Sequence, residues 1–284
     1  MTTQEQLTPL VVAVVIGAGA LHATWNALAK HVRDGLMAFA WIGIAATIGG
    51  AVGLVFTGLP YRAAIGFAIA SGVIHIGYDL GLIASYRLGA FNQTYPIARG
   101  TSPLIVAVGA YFLANDHLSA PALLGVVTLA VGLMSLAFSG GRLSRQDLPA
   151  VGAAVLTGLT IAAYTIVDGL GVRRAHDPWA YVALLFLLLG PPMTVAALVR
   201  RPASAWRDAS TAARGLLAGV LCVLAYGIVL WAQTRAPLAE VAAIRETSVV
   251  FAALIGMTMF GEHFGRRRVA AAAVIATGIV LISL

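Results

Sequence analysis

Apolar runs fill almost the whole chain, and polar residues are confined to short gaps between them. A helix needs about 20 apolar residues to cross a bilayer. Ten stretches approach or meet that length: 9–29, 36–58, 63–86, 92–114, 120–138, 148–169, 179–199, 213–234, 238–260 and 267–284. They do not alternate with the period of two that a membrane barrel requires. The pattern predicts an all-α polytopic membrane protein with ten transmembrane helices, and leaves no stretch for a soluble domain.

The polar positions repeat. Arg99, Gly100, Thr101 and Ser102 return 146 residues later as Arg245, Glu246, Thr247 and Ser248. The same offset pairs Asp116 and His117 with Glu262 and His263, and Gly132 with Gly278. One register held over two consecutive spans is an internal duplication. The hydrophilic connection 142–147 divides the chain into a first repeat, 1–138, and a second, 139–284. Each holds five spans. An odd number makes the second repeat enter the membrane from the opposite side, so the repeats are expected to be inverted, a recurrent transporter design.

Composition agrees. The chain has 284 residues, 60% hydrophobic and 10% charged. The formal charge is +7, and 17 of the 18 basic residues are Arg, mostly in the gaps between spans. That is a membrane-surface pattern, and no nucleic-acid partner is expected. The single Cys222 excludes an internal disulfide and a cysteine metal cluster. No metal or other cofactor is expected. The segment from Met1 to Pro9 is polar and carries Glu5, so no cleavable signal is expected there. Excluding Arg99 and Arg245, the odd-numbered loops hold 12 basic residues and the even-numbered loops four. This count places the odd loops in the cytoplasm and both termini outside.

A charge inside a span costs a few kcal/mol and needs a reason. Asp79 and Arg99 each lie ten residues from Gly89, where spans three and four turn. They are expected at similar depth, about 10–15 Å along the helix from the turn. They either form a structural ion pair or each bind one end of a substrate. His75, Tyr78 and Asp79 share one helical face, as do His22, Trp25 and Asn26, and Tyr95 and Arg99 share a third. Such mixed polar and aromatic stripes do not suit a lipid-facing surface. Tyr226 and Trp231 in span eight and Tyr164 in span six add further candidates, while Gln93 is read as lining or capping a span end. Asp168 and Glu240 sit near predicted span ends and are read as solvated or capping. Arg245 and Glu246 are adjacent, about 100° apart on a continuous helix, so they are expected to point to different partners. Asp116 and Glu262, just before spans five and ten, are read as offsetting helix dipoles. Gly125 and Gly132, matched by Ala271 and Gly278, mark spans five and ten as scaffold or dimer faces. No catalytic constellation supports an enzyme.

Five plus five spans, the acidic residue after spans four and nine, and glycine-bearing spans five and ten together resemble the drug/metabolite transporter superfamily. The resemblance covers the whole chain and is nearest to its EamA-type branch. Gly261 and Glu262, with Gly278, are similar to that family's most recognisable stretch; Asn115 and Asp116 depart from it in the first half. Within the branch the chain looks most like YddG-type exporters of aromatic and other neutral amino acids. The resemblance implies a bacterial inner-membrane carrier with a central cavity lined by spans one, three, four, six, eight and nine. It also implies cytoplasmic termini, against the arginine count.

The residues suit an amino acid on chemical grounds as well. A zwitterion needs a cation for its carboxylate, from Arg99 or Arg245, and acceptors for its ammonium, from Asp79 or Glu246. Trp25, Tyr78, Tyr95, Tyr164, Tyr226 and Trp231 can pack an apolar side chain. The reading is a membrane transporter that exports aromatic and neutral amino acids by alternating access. The alternative is export of cationic drugs or other small metabolites, for which a cavity acid and aromatics suffice.

Overall fold

The structure is a computed structural model and describes residues 7–89, 91–137, 145–260 and 265–284. Regular structure among these residues is entirely helical: α1 (Pro9–Lys30), α2 (Gly35–Thr57), α3 (Arg62–Leu88), α4 (Phe91–Leu113), α5 (Ala120–Ala137), α6 (Leu148–Arg174), α7 (Pro178–Leu189), α8 (Pro191–Arg200), α9 (Ala209–Gln233), α10 (Leu238–Arg245), α11 (Ser248–Phe260) and α12 (Arg266–Ile282). Short 3-10 turns precede α6 and α9. Eight helical stretches are long and apolar enough to cross a bilayer, counting α7 with α8 as one. The expected spans 238–260 and 267–284 fall short of that criterion, because the first is broken into α10 and α11 and α12 has only 17 residues. Gly261, Glu262 and His263, and the repeat boundary at 138/139, lie outside the described residues.

Several acidic residues outside the spans serve as helix caps. Asp34 accepts from the Leu36 and Met37 N–H groups, Asp177 from Trp179 N–H, and Asp208 from Ser210 and Thr211. Each satisfies donors that the first helical turn leaves without partners. The Arg201 guanidinium beyond α8 also donates to both oxygens of Asp34, and holds that carboxyl below its usual range. The stabilisation is present above the ordinary carboxylate pKa and lost as pH falls through the lower folded value. Because the pair is exposed, it contributes little.

Two expected spans are discontinuous. The first breaks at Gly190, followed by Pro191 and Pro192, which have no N–H to continue the ladder. Gly43 of α2 lies against this kink: a Cβ on it would fall 2.4 Å from the Gly190 carbonyl oxygen. The second break has no proline. At Glu246 and Thr247 the ladder tightens to i→i+3 bonds: Glu246 N–H to Ala243, Thr247 N–H to Ile244 and Val249 N–H to Glu246.

The helices pack as a bundle in which α6 lies against α3 and α4, α9 against α1 and α2, α11 against α1, α7 against α2 and α5 against α4 and α12. Large apolar side chains such as Val55, Phe56, Phe112 and Val199 are more than three-quarters exposed on the outside. A continuous belt of this kind is a surface for lipid, not water.

The small-residue faces of α5 and α12 meet inside the chain. A Cβ on Gly278 would fall 2.8 Å from the Gly125 carbonyl oxygen, and one on Gly125 would fall 2.6 Å from that of Gly278. Gly132 faces Ile275 in the same seam. The seam is therefore a scaffold contact, and these glycines are not free for a second copy. Gly278→Val should force the two backbones apart and cost about 1–3 kcal/mol. Gly152→Ala, at a position with open space around it, should leave thermal unfolding in detergent unchanged. Equal melting temperatures for the two variants would contradict the seam.

Candidate functional site

The break between α10 and α11 sets Arg245 and Glu246 at the centre of the bundle. Glu246 is fully buried, and Arg245 and Arg99 are 4% and 6% exposed. Arg99 of α4 donates to Glu246 Oε1 at 3.2 Å, and Arg245 donates to the same oxygen at 3.3 Å. On a continuous helix the two neighbours would diverge; the tight turn lets both converge, which corrects the expectation that they point apart. Arg99 also donates to Tyr95 Oη at 3.1 Å and lies 2.7 Å from His22 Nε2. A guanidinium only donates, so His22 accepts through Nε2 and is neutral, with its proton on Nδ1. Its ring meets Trp25 edge to face at 5.1 Å.

Two guanidiniums against one carboxylate leave the cluster with a net charge of +1. Its hydrogen-bonding capacity is not used up. Arg245 Nε, Glu246 Oε2 and Trp25 Nε1 are buried without a partner among the described residues. Buried polar atoms are normally satisfied, so unused donors in a cationic pocket point to a missing anionic or polar group.

An aromatic group adjoins this cluster. His75 stacks on Tyr164 at 4.0 Å, and Tyr78 meets Tyr164 at 5.7 Å. Tyr226 meets His75 and Tyr164 edge to face at 6.4 and 6.3 Å. Tyr164 is within electrostatic range of both Arg99 and Arg245. The residues brought together thus come from α1, α3, α4, α6, α9 and α10.

Other candidates sit elsewhere. Among the described residues Asp79 forms no ion pair with Arg99, whose counter-charge is Glu246; Asp79 is half-buried one turn from His75. Asn26 donates back to the His22 carbonyl at 2.8 Å within its own helix. Trp231 packs in an apolar cluster with its ring under Arg235.

Asp168 and Glu240, read as solvated or capping, are both buried. Asp168 is fully buried and accepts from Tyr181 at 2.9 Å and Tyr226 at 2.7 Å. Helix α6 runs on to Arg174, so Asp168 lies deeper than the predicted end at 169 implied. Glu240 is 7% exposed in the first turn of α10, with Oε2 unpartnered among the described residues. Asp116 does not face α5. It accepts from the Leu238 N–H at the start of α10 and binds Arg173 through both oxygens at 2.8 and 3.1 Å. Arg173 also donates to the Gln233 and Ala236 carbonyls. Asn115 precedes this joint with φ of 53°, in the left-handed region. Sequence reasoning missed Ser71, whose hydroxyl lies 3.2 Å from His75 Nδ1, and Tyr181 and Arg173; the only advance signal was the i, i+4 spacing of Tyr164 and Asp168.

Residues 148–284 match the EamA-like transporter family. Over those residues the chain is similar to EamA-like transporters. The family so matched is one of transporters. A solved structure described only as "Crystal structure of protein" is similar over 96% of this chain and 98% of its own, with a TM-score of 0.74 at 19% identity. That likeness shows the fold, and it extends through the first half as well as the EamA-like half. No curated protein matches the chain in sequence.

Glu246→Gln should leave two buried guanidiniums without a counter-charge. The cost should be about 3–5 kcal/mol in detergent unfolding. Glu246→Gln with Arg99→Met should recover much of that loss, since one stranded charge is then removed. A Glu246→Gln protein as stable as wild type would rule out the pairing.

Proposed function

We propose that the protein is a ten-span carrier of two inverted five-span repeats, and that it exports zwitterionic amino acids from the bacterial cytoplasm by alternating access. Counting α7 with α8 and α10 with α11 gives ten spans. Under an exchange of span n with span n + 5, the packing of α6 on α3 and α4 corresponds to that of α1 on α9, α10 and α11. Likewise the contact of α2 with α9 corresponds to that of α7 with α3. The 146-residue sequence register supports the same relation.

The observation that carries the substrate reading is the buried +1 cluster with unused donors. Arg99 has all three nitrogens engaged by Tyr95, His22 and Glu246, whereas Arg245 keeps Nε unused. The substrate carboxylate therefore binds at Arg245, with the Trp25 indole N–H as a further donor. The ammonium lies toward Asp79 and the ring faces of Tyr78 and Tyr164, which attract cations. The apolar side chain packs among His75, Tyr164 and Tyr226. A lipophilic cation is a poorer fit, because Glu246 already neutralises a guanidinium. The aromatic lining favours aromatic and other neutral amino acids, as in YddG-type exporters.

Counterflow of labelled substrate in reconstituted vesicles, with a panel of amino acids, sugars and cationic drugs, tests the reading. Neutral amino acids should exchange, and drugs and sugars should not. Arg245→Ala should lose about tenfold to a hundredfold in apparent affinity, the worth of a hydrogen bond to a charged group at ~1.5–3 kcal/mol. Trp25→Ala should weaken phenylalanine more than alanine. Exchange of cationic drugs alone would contradict the proposal.

A further inference from the structure

A second buried acidic group lies beside the proposed substrate site, and among the described residues no Lys or Arg bonds it. The Asp168 carboxylate of α6 is held by hydroxyl groups: Tyr181 of α7 on Oδ1 and Tyr226 of α9 on Oδ2. From α3, the fully buried Ser71 hydroxyl faces the same carboxylate. Arg245 of α10 and Arg99 of α4 act on Tyr164, and Arg245 also on Tyr226 and His75, but neither bonds Asp168 among the described residues. Cys222 sits one turn from Tyr226 on α9, and Asp79 one turn from His75 on α3. An ionised carboxylate in a membrane bundle is costly without a paired cation, and a proton is the smallest group that removes the charge.

The neighbouring base is His75. Its Nδ1 lies 2.9 Å from the Ser71 carbonyl oxygen and 3.2 Å from the Ser71 hydroxyl. With Nδ1–H donating to that carbonyl, Nε2 carries a lone pair able to take a proton. Ser71 thus stands between a carboxylate and an imidazole on facing helices. We infer that Asp168 and His75, linked through Ser71, form a proton-binding site that exchanges a proton for each substrate carried. This inference rests on the carrier reading above.

Tyr226 provides the coupling. Its hydroxyl donates to Asp168 Oδ2, while its ring packs against His75 and Tyr164 in the proposed substrate site. A proton on Oδ2 turns that oxygen from acceptor to donor. That oxygen is then a weaker acceptor, so the Tyr226 hydroxyl is held less firmly or reverses its role, and the ring shifts among the residues that hold the substrate. One tyrosine serves both sites, so proton and substrate occupancy are linked, and the linkage is reciprocal. The proton enters from the external water and leaves to the cytoplasm as the substrate crosses the other way.

The test uses the full chain in vesicles with the membrane potential clamped by potassium and valinomycin, labelled phenylalanine as probe, and a lumenal pH dye. Wild-type vesicles with an acid lumen should accumulate phenylalanine, up to about tenfold per pH unit for one proton exchanged. The lumen should turn alkaline as they do so. Asp168→Asn keeps one of the two hydroxyl acceptors and should retain phenylalanine counterflow while losing the pH-driven accumulation. Ser71→Ala, a smaller change should the first variant fold poorly, should cut accumulation with counterflow retained. Wild-type counterflow without accumulation or lumenal alkalinisation would overturn the proton site alone. A folded Asp168→Asn protein that still accumulates phenylalanine would do the same. Wild-type vesicles that show no phenylalanine counterflow would overturn the carrier reading, and the proton site with it.

Discussion

The buried contact between Arg99 and Glu246 is the constraint around which the centre of the bundle is built. It joins residues 147 positions apart, one from each half of the chain. Arg99 without Glu246 would be an unpaired charge in a low-dielectric interior, far costlier than the pair. The helix containing Glu246 does not remain regular: α10 stops at Arg245 and α11 starts at Ser248. The tight turn directs two adjacent side chains at one site, and it leaves Arg245 with a donor that none of the described residues uses. Helix breaks at membrane depth are tolerated where the freed groups line a binding site. Gly19 of α1 suits this arrangement, since a Cβ there would fall 2.5 Å from Thr247 Oγ1.

Beyond that centre, the polar residues divide the labour. Asp116 and Arg173 form a joint that ties the end of α4, the end of α6 and the start of α10 at one end of the bundle. Asp34 and Arg201 tie α2 to the end of α8. The α5–α12 glycine seam brings the two backbones into direct contact. This separation keeps charged chemistry in the core and at the ends, and leaves the perimeter to lipid contact. Two of the loop arginines, Arg173 and Arg201, are committed to carboxylates.

Helix positions were legible because apolar run length is nearly decisive in a membrane, where backbone groups must be satisfied within the segment. The break before Pro191 was legible in principle from the Pro191–Pro192 pair. The break at Glu246 was not, since no local residue forbids a helix there and its reason lies on α4. Distance in sequence also hid the partners of charge. Asp116 meets a guanidinium 57 residues away and an N–H 122 residues away. Asp168 was misread because an apolar run that ends at 169 does not mark where the helix ends. The stripe residues His22, Trp25, His75, Tyr78, Tyr95 and Arg99 fared better: helical periodicity fixes which side chains share a face before any partner is known. Asp79 shares its face with His75 and Tyr78, yet the cation it was weighed against already has a counter-charge.

The central claim is that the Arg245 side of the cluster receives a carboxylate. Calorimetric titration of the purified protein with phenylalanine and with phenylalanine methyl ester tests it most directly, because the ester keeps the ring and the ammonium and loses only the negative charge. The account predicts that the ester binds at least about tenfold more weakly, the minimum loss expected for a hydrogen bond to a charged group. Equal or tighter binding of the ester would contradict it.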